Sequence, residues 1–134
     1  MLTDRLEARL RKIILVVEDS PTQASQIRLL LKEFGLGVII AGDGNQGLDM
    51  AKELIPDLII LDIQMPRMNG FELCKNLKEE TATKDIPLII LSHKDAAETI
   101  QMGLSMGVVD YIPKDAFAQA VLVETLRQMG IISS

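Results

Sequence analysis

Five aliphatic runs of strand length divide this chain: 13-IILVV-17, 38-VIIA-41, 58-LIIL-61, 88-LIIL-91 and 108-VVDYI-112. They are rich in β-branched residues, which suit an extended backbone. Between the runs, and after the last, lie segments with helical spacing. Ile27, Leu30, Leu31 and Phe34 recur at i, i+3, i+4 and i+7, with Gly35 placed as a helix stop. Leu48, Ala51 and Leu54 repeat the pattern. Phe71, Cys74, Leu77 and Lys78 give a third helix, Ala97, Ile100 and Leu104 a fourth, and Ala118, Val121, Leu122 and Thr125 a fifth. Strand then helix, five times over, predicts an α/β domain with a parallel sheet, because parallel neighbours need a crossover of about a helix's length. The runs at 13, 58 and 88 are apolar throughout, as expected of strands covered by helices on both faces. The fifth run leads into Pro113, which has no N–H for the ladder, so it is expected at a sheet edge or strand end.

A length of 134 residues is one domain's worth of chain, enough for a sizeable core. With no Trp, one Tyr and three Phe, that core must be aliphatic. A net charge of −5, with no basic cluster beyond Arg11-Lys12, argues against a nucleic-acid surface. The lone Cys74 excludes an internal disulfide and suits a reducing compartment. No run approaches a membrane span, and Ile13–Val17 is too short for a signal peptide, so a cytoplasmic protein without membrane insertion is expected. Residues 1–12 stand apart as an N-terminal extension. Leu2, Leu6 and Leu10 share one helical face there, which fits a short amphipathic helix or a frayed tail. The domain proper is expected over 13–130, with a C-terminal tail at 131–134.

In an open parallel sheet, ligands bind beyond the carboxyl ends of the strands. Glu18-Asp19 follow the first run, Asp62 the third, Ser92 the fourth and Lys114 the fifth. If the strands are parallel, three acids, a hydroxyl and an ammonium converge on one rim. Crowded carboxylates resist ionisation unless a cation settles among them. Mg²⁺ takes oxygen ligands, usually one or two carboxylates with waters, and shares phosphate oxygens. A carboxylate can also act as a nucleophile and form an aspartyl-phosphate, and phosphoryl transfer asks mainly for positioning and charge neutralisation. Asp62 is therefore expected to accept phosphate beside Mg²⁺, with Asp19 and Asp62 as direct ligands and Glu18 acting through water.

The Glu-Asp pair after the first run, 58-LIILDIQMPRMNGFEL-73, the hydroxyl in 90-ILSHK-94, and 110-DYIPK-114 occur in an order that resembles the receiver domain of bacterial two-component response regulators, of the stand-alone CheY-like type. The resemblance covers about 13–130. It implies a flavodoxin-like fold, a five-stranded parallel sheet of order 2-1-3-4-5 with five helices on two faces. It also implies that Asp62 takes a phosphoryl group from a phosphohistidine on a sensor histidine kinase or phosphotransfer protein. Glu18 and Asp19 would hold Mg²⁺, with the backbone carbonyl of Gln64 as a further ligand. Ser92 would turn to hydrogen-bond the phosphoryl oxygens, Lys114 would pair with one of them, and Tyr111 matches the switch aromatic that then moves inward. The domain would assist its own phosphorylation and dephosphorylation without being an enzyme. It would signal to a downstream protein target by population shift. Receivers commonly do so through the face of the fourth helix, fifth strand and fifth helix, and Gly103 lowers helix propensity there.

The sequence also departs from the family. The usual Lys-Pro is replaced by Ile112-Pro113-Lys114-Asp115, leaving the isomer of the Ile112–Pro113 bond open. His93 stands where a small residue is usual; its ring would slow hydrolytic water at Asp62, or is a solvated loop histidine. Ser20-Pro21-Thr22-Gln23 reads as an N-cap with Pro at N1 and a capping-box Gln. Ser92-His93-Lys94-Asp95 fits a second capping box, although its place among the strand ends favours the phosphate role. Gly70, in the turn before the third helix, suits a positive φ. Met50, Met65, Met102, Met106 and Met129 read as core or rim filler, Cys74 as an inert residue on a buried stripe, and Val123 as lying off the apolar arc of the last helix. Two other readings compete. One is a module of this fold that has lost phosphotransfer, against which all five rim residues count. The other is a flavodoxin-like electron carrier, whose flavin phosphate Glu18-Asp19 would repel.

Overall fold

In the computed structural model, which describes residues 11–133, each aliphatic run becomes a strand and each spaced segment a helix. The elements are β1 (Ile13–Val17), α1 (Pro21–Lys32), β2 (Gly37–Ala41), α2 (Gly44–Leu54), β3 (Leu58–Leu61), α3 (Gly70–Glu79), β4 (Leu88–Ser92), α4 (Ala97–Ser105), β5 (Asp110–Pro113) and α5 (Ala118–Gln128). Most of the amphipathic stretch expected at 1–12 lies outside the described residues. The sheet has the order β2-β1-β3-β4-β5, every pair parallel. β5 forms one edge, where its proline is tolerated. The fifth strand begins at Asp110, two residues later than the aliphatic run. Gly107 turns the chain with φ 87°, Val108 is buried ahead of the strand, and Val109 faces solvent.

Strand side chains alternate between two apolar layers, as the period of two requires. Leu15, Val17, Ile59, Leu61, Leu88 and Ile90 point to one layer, which also holds Ala51 of α2 and Leu73, Cys74 and Leu77 of α3. Ile14, Val16, Leu58, Ile60, Ile89 and Leu91 point to the other, with Ile27 and Leu31 of α1, Leu122 and Leu126 of α5, and Ile132. Burial on both faces explains why the central strands lack polar alternation.

The helix termini depart from expectation in several places. α1 ends at Lys32, so Phe34 falls in the turn closed by Gly35 (φ 77°) instead of on the helical stripe. On α4 the buried residue is Gly103, and Leu104 and Met102 face solvent, the latter 53% exposed; Met102 is not filler. On α5 Leu122 and Thr125 are buried and Ala118 packs against the core as expected, but Val121 is exposed and Val123 packs against the core in its place. No described helix is long and apolar enough to cross a membrane. The described residues contain no cis peptide bond, so Ile112–Pro113 is trans.

Candidate functional site

The register of the sheet brings the polar residues to one rim. Val17 pairs with Leu61, Leu61 with Ile90, and Ser92 with Pro113. The residues that follow are held by backbone bonds that prolong the ladder. Glu18 N–H donates to the Ala41 carbonyl (3.0 Å), Asp62 N–H to that of Val17 (3.1 Å) and Lys114 N–H to that of Ser92 (2.8 Å). Three ionisable side chains thus leave the sheet from positions fixed by hydrogen bonds.

Lys114 is the centre of the arrangement. Its Nζ donates to Asp62 Oδ2 at 2.8 Å, to Glu18 Oε1, and to Gln23 Oε1 of α1. An ammonium has three protons, and all three are placed. Asp62 Oδ1 accepts from the Gln64 N–H (3.0 Å), and Glu18 Oε2 accepts from the Ser20 N–H (3.2 Å). The lysine side chain is 11% exposed, the Glu18 side chain 2% and that of Asp62 7%. Two buried carboxylates therefore share one cation. Burial pushes the Glu18 carboxyl above its ordinary value and the Asp62 charge adds to that push, while the hydrogen bonds from Lys114 and Ser20 and the Lys114 charge oppose it.

The other expected residues lie around this knot. Asp19 is exposed and lines a shallow cleft with Gln64, Met65, Asn69 and Lys94. Ser92 is fully buried; its Oγ accepts from the Lys94 N–H (3.3 Å). It caps no helix, since α4 starts after Ala96 with no side-chain cap. Tyr111 is buried on β5 and its hydroxyl donates to the Lys94 carbonyl at 2.6 Å. Burial pushes its phenol up, the Ser92 hydroxyl pulls it down, and the charges of Asp62 and Asp95 raise it further. His93 is exposed and lines a separate groove of about 440 Å³ between α1 and α5, whose other walls include Gln23, Ile27, Lys114, Asp115 and Leu122.

Two participants escape a reading of the sequence. Gln23 fits a capping box, and half of that box is present: Ser20 Oγ accepts from the Gln23 N–H (3.3 Å). The Gln23 amide turns instead to Lys114, and Glu18 takes the Ser20 N–H. Lys94 lines the Asp19 cleft and offers its carbonyl to Tyr111; its position two residues past Ser92, on the same rim, is the signal that would have found it.

The turn between β3 and α3 completes the site. Asn69 caps α3, its Oδ1 accepting from the Glu72 N–H (3.0 Å) and its amide donating to Glu72 Oε1 (3.0 Å). The positive φ expected at Gly70 belongs to Arg67 (66°). Gly70 is needed for a different reason, because its backbone passes against Asp62 and Ile63.

Among the described residues, no three His, Cys, Asp or Glu side chains are gathered so as to hold a metal ion by themselves. The donors at this rim are nonetheless all oxygens, and two carboxylates against one ammonium leave one negative charge unbalanced. This donor set fits a hard divalent ion that keeps several waters, as Mg²⁺ does.

Residues 14–127 match the family model described as the response regulator receiver domain. Over 118 residues the chain is 35% identical to the DNA-binding response regulator MtrA of Mycolicibacterium smegmatis, a match covering 88% of this chain and 50% of that protein. It thus spans about half the length of that relative. Protein PilH of Pseudomonas aeruginosa is 34% identical over 109 residues, which cover 81% of this chain and 90% of PilH. Among solved structures, the chemotaxis response regulator CheY4 of Vibrio cholerae is similar with a TM-score of 0.79 and 30% identity, covering 88% of this chain and 98% of that one. The signal receiver domain of a signal transduction histidine kinase from Syntrophus aciditrophicus gives 0.78 and 31%, covering 91% and 92%. The strand order, the acid-and-lysine rim and a family match along most of the sequence agree, and the chain belongs to the response regulator receiver domains of two-component signalling.

Proposed function

We propose that Asp62 is the phosphoacceptor of a Mg²⁺-dependent receiver that signals by phosphorylation-controlled protein contact. The observation that carries this reading is the buried pair of carboxylates, Glu18 and Asp62, joined by the single ammonium of Lys114. A structural ion pair needs one acid per base. The surplus charge here calls for a further cation, and an electrophile carried in with that cation would meet the Asp62 carboxylate.

An oxygen of Asp62 would attack the phosphorus of a phosphohistidine on a sensor kinase or phosphotransfer protein. The P–N bond breaks, imidazole leaves, and an acyl phosphate forms. Bound Mg²⁺, held by Asp19, Asp62 and the Gln64 carbonyl with Glu18 through water, would neutralise charge on the transferring group. Lys114 would then pair with a phosphoryl oxygen and Ser92 would donate its hydroxyl to another. The Ser92 hydroxyl, the Lys94 backbone and Tyr111 form one connected set, so movement of Ser92 would be felt at the ring. We read the domain, about 13–130, as a cytoplasmic phosphoacceptor that acts on a downstream protein and not as an enzyme.

Incubation with Mg²⁺ and a small phosphodonor such as acetyl phosphate should add one phosphoryl group by intact mass, and Asp62→Asn should abolish the gain. Equal phosphorylation of the Asn variant would move the acceptor elsewhere. Mg²⁺ should also raise the Tm, as any ligand confined to the folded state does; an Asp19→Asn variant that responds equally would remove Asp19 from the ligand set.

A further inference from the structure

Lys114 reaches the rim at the end of a flexible four-carbon stem, which has many rotamers to lose. Two of its three protons go to carboxylates fixed by the sheet. The third goes to Gln23, which is fixed by other means. Pro21 opens α1 with a preset φ, Ser20 Oγ holds the Gln23 N–H, and Ser20 N–H is itself bound to Glu18 Oε2. The bonds close a ring: Ser20 to Glu18, Glu18 to Lys114, Lys114 to Gln23, and Gln23 back to Ser20. The first turn of α1 and the end of β5 are thereby clamped together around the ammonium.

The three acceptors differ in strength. Hydrogen bonds to a carboxylate have charge on both partners, whereas the Gln23 amide is neutral and so the weakest of the three. A phosphoryl oxygen arriving at Lys114 needs a proton, and the amide bond is the one surrendered at least cost. An acid at this position would hold the lysine more tightly, and an apolar residue would leave the third proton to water.

We propose that Gln23 is a positioning residue for phosphoryl transfer: it directs the Lys114 ammonium at Asp62 in the resting site and yields one lysine proton to the incoming phosphoryl group. This rests on Asp62 being the phosphoacceptor, and the test separates the two ideas. Gln23→Met keeps the length of the side chain and removes the strong acceptor; Gln23→Glu restores an acceptor of the same reach. The first readout needs no phosphate. It is the exchange of the Lys114 Nζ protons with water, followed by ¹⁵N NMR on the full chain, with Tm confirming that each variant is folded.

We expect faster exchange in Gln23→Met and protection at least as strong as in wild type in Gln23→Glu. The second readout is the rate of phosphorylation by acetyl phosphate with Mg²⁺. Loss of a hydrogen bond with a net worth of about 0.5–1.5 kcal/mol corresponds to a rate roughly two- to tenfold lower in Gln23→Met. Gln23→Glu should also be slow, because it does not release the lysine. Unchanged exchange in Gln23→Met overturns the proposal, as does a slowed rate with the lysine protons still protected. A wild-type chain that takes no phosphate sinks the phosphoacceptor reading and the transfer role with it, and the exchange readout then reports the clamp alone.

Discussion

The carbonyl oxygen of Asp62 stands where a side chain on Gly70 would begin: a Cβ there would lie 2.4 Å from it and 2.6 Å from the Cα of Ile63. Both obstacles are backbone, so neither can swing aside. The Gly70 N–H also donates to the Ile63 carbonyl at 3.0 Å, which ties the start of α3 to the residue next to Asp62. Gly70→Ala should therefore destabilise the domain by about 3 kcal/mol, at the upper end for overpacking. The check is urea unfolding. A loss under about 0.5 kcal/mol would mean that the β3–α3 turn yields freely.

Gly103 presents the same kind of contact to a softer neighbour. A Cβ would lie 2.7 Å from Cδ2 of Tyr111 and 3.0 Å from Cδ1 of Ile90. Alanine gains about 1 kcal/mol of helix propensity over glycine, and overpacking costs about 1–3 kcal/mol. Gly103→Ala should lose about 1 kcal/mol net and break the bond from the Tyr111 hydroxyl to the Lys94 carbonyl. Tyr111→Phe in the Gly103→Ala background should then cost less than it does in wild type, a coupling that a double-mutant cycle measures.

Replacing Lys114 by Met leaves Glu18 and Asp62 buried without their shared cation. Breaking a buried pair from one side costs about 3–5 kcal/mol. The loss should depend on pH. Glu18 is raised in the folded state, so the stability that its proton lends is complete below the ordinary value of 4.5 and is lost as pH rises through the folded value. Without the lysine that folded value climbs further. The gap between wild type and Lys114→Met should thus widen as pH increases from 4.5 toward neutrality. Denaturant midpoints across that window test it, and a gap that narrows would contradict the shared-cation description.

Cys74 is fully buried on α3, and its thiol is pushed up to about 12 by burial, with the nearby Lys78 charge acting weakly against the shift. At neutral pH it carries no reactive thiolate. Iodoacetamide should label it only as fast as the native state opens. Prompt labelling of the folded protein would place the side chain elsewhere.

The rim was legible because each polar residue ends an aliphatic run, and the parallel sheet turns that regularity into proximity. Glu18, Asp62 and Lys114 needed only strand direction to meet. Gln23 was not legible in this way. Its spacing from Ser20 satisfies a local motif, and the choice between cap and lysine is made by a residue 91 positions away. The same reason hides the packed face of α4 and the exchange of Val121 for Val123 on α5. Their apolar residues spread over more than one face, and the packed face is decided by what β5 offers: Gly103 is buried because the Tyr111 ring fills the space beside it. At Gly70 the residue type was informative and the reason was different, since close backbone approach and positive φ call for the same amino acid.

Tyr111 is the sole tyrosine, and the chain has no tryptophan. Intrinsic near-ultraviolet emission therefore comes essentially from one ring, seated against Gly103 with its hydroxyl on the Lys94 carbonyl. The molecule carries its own dye at the place where a conformational response would pass. A rise or quench on adding a phosphodonor can be assigned to that ring without labelling or engineering.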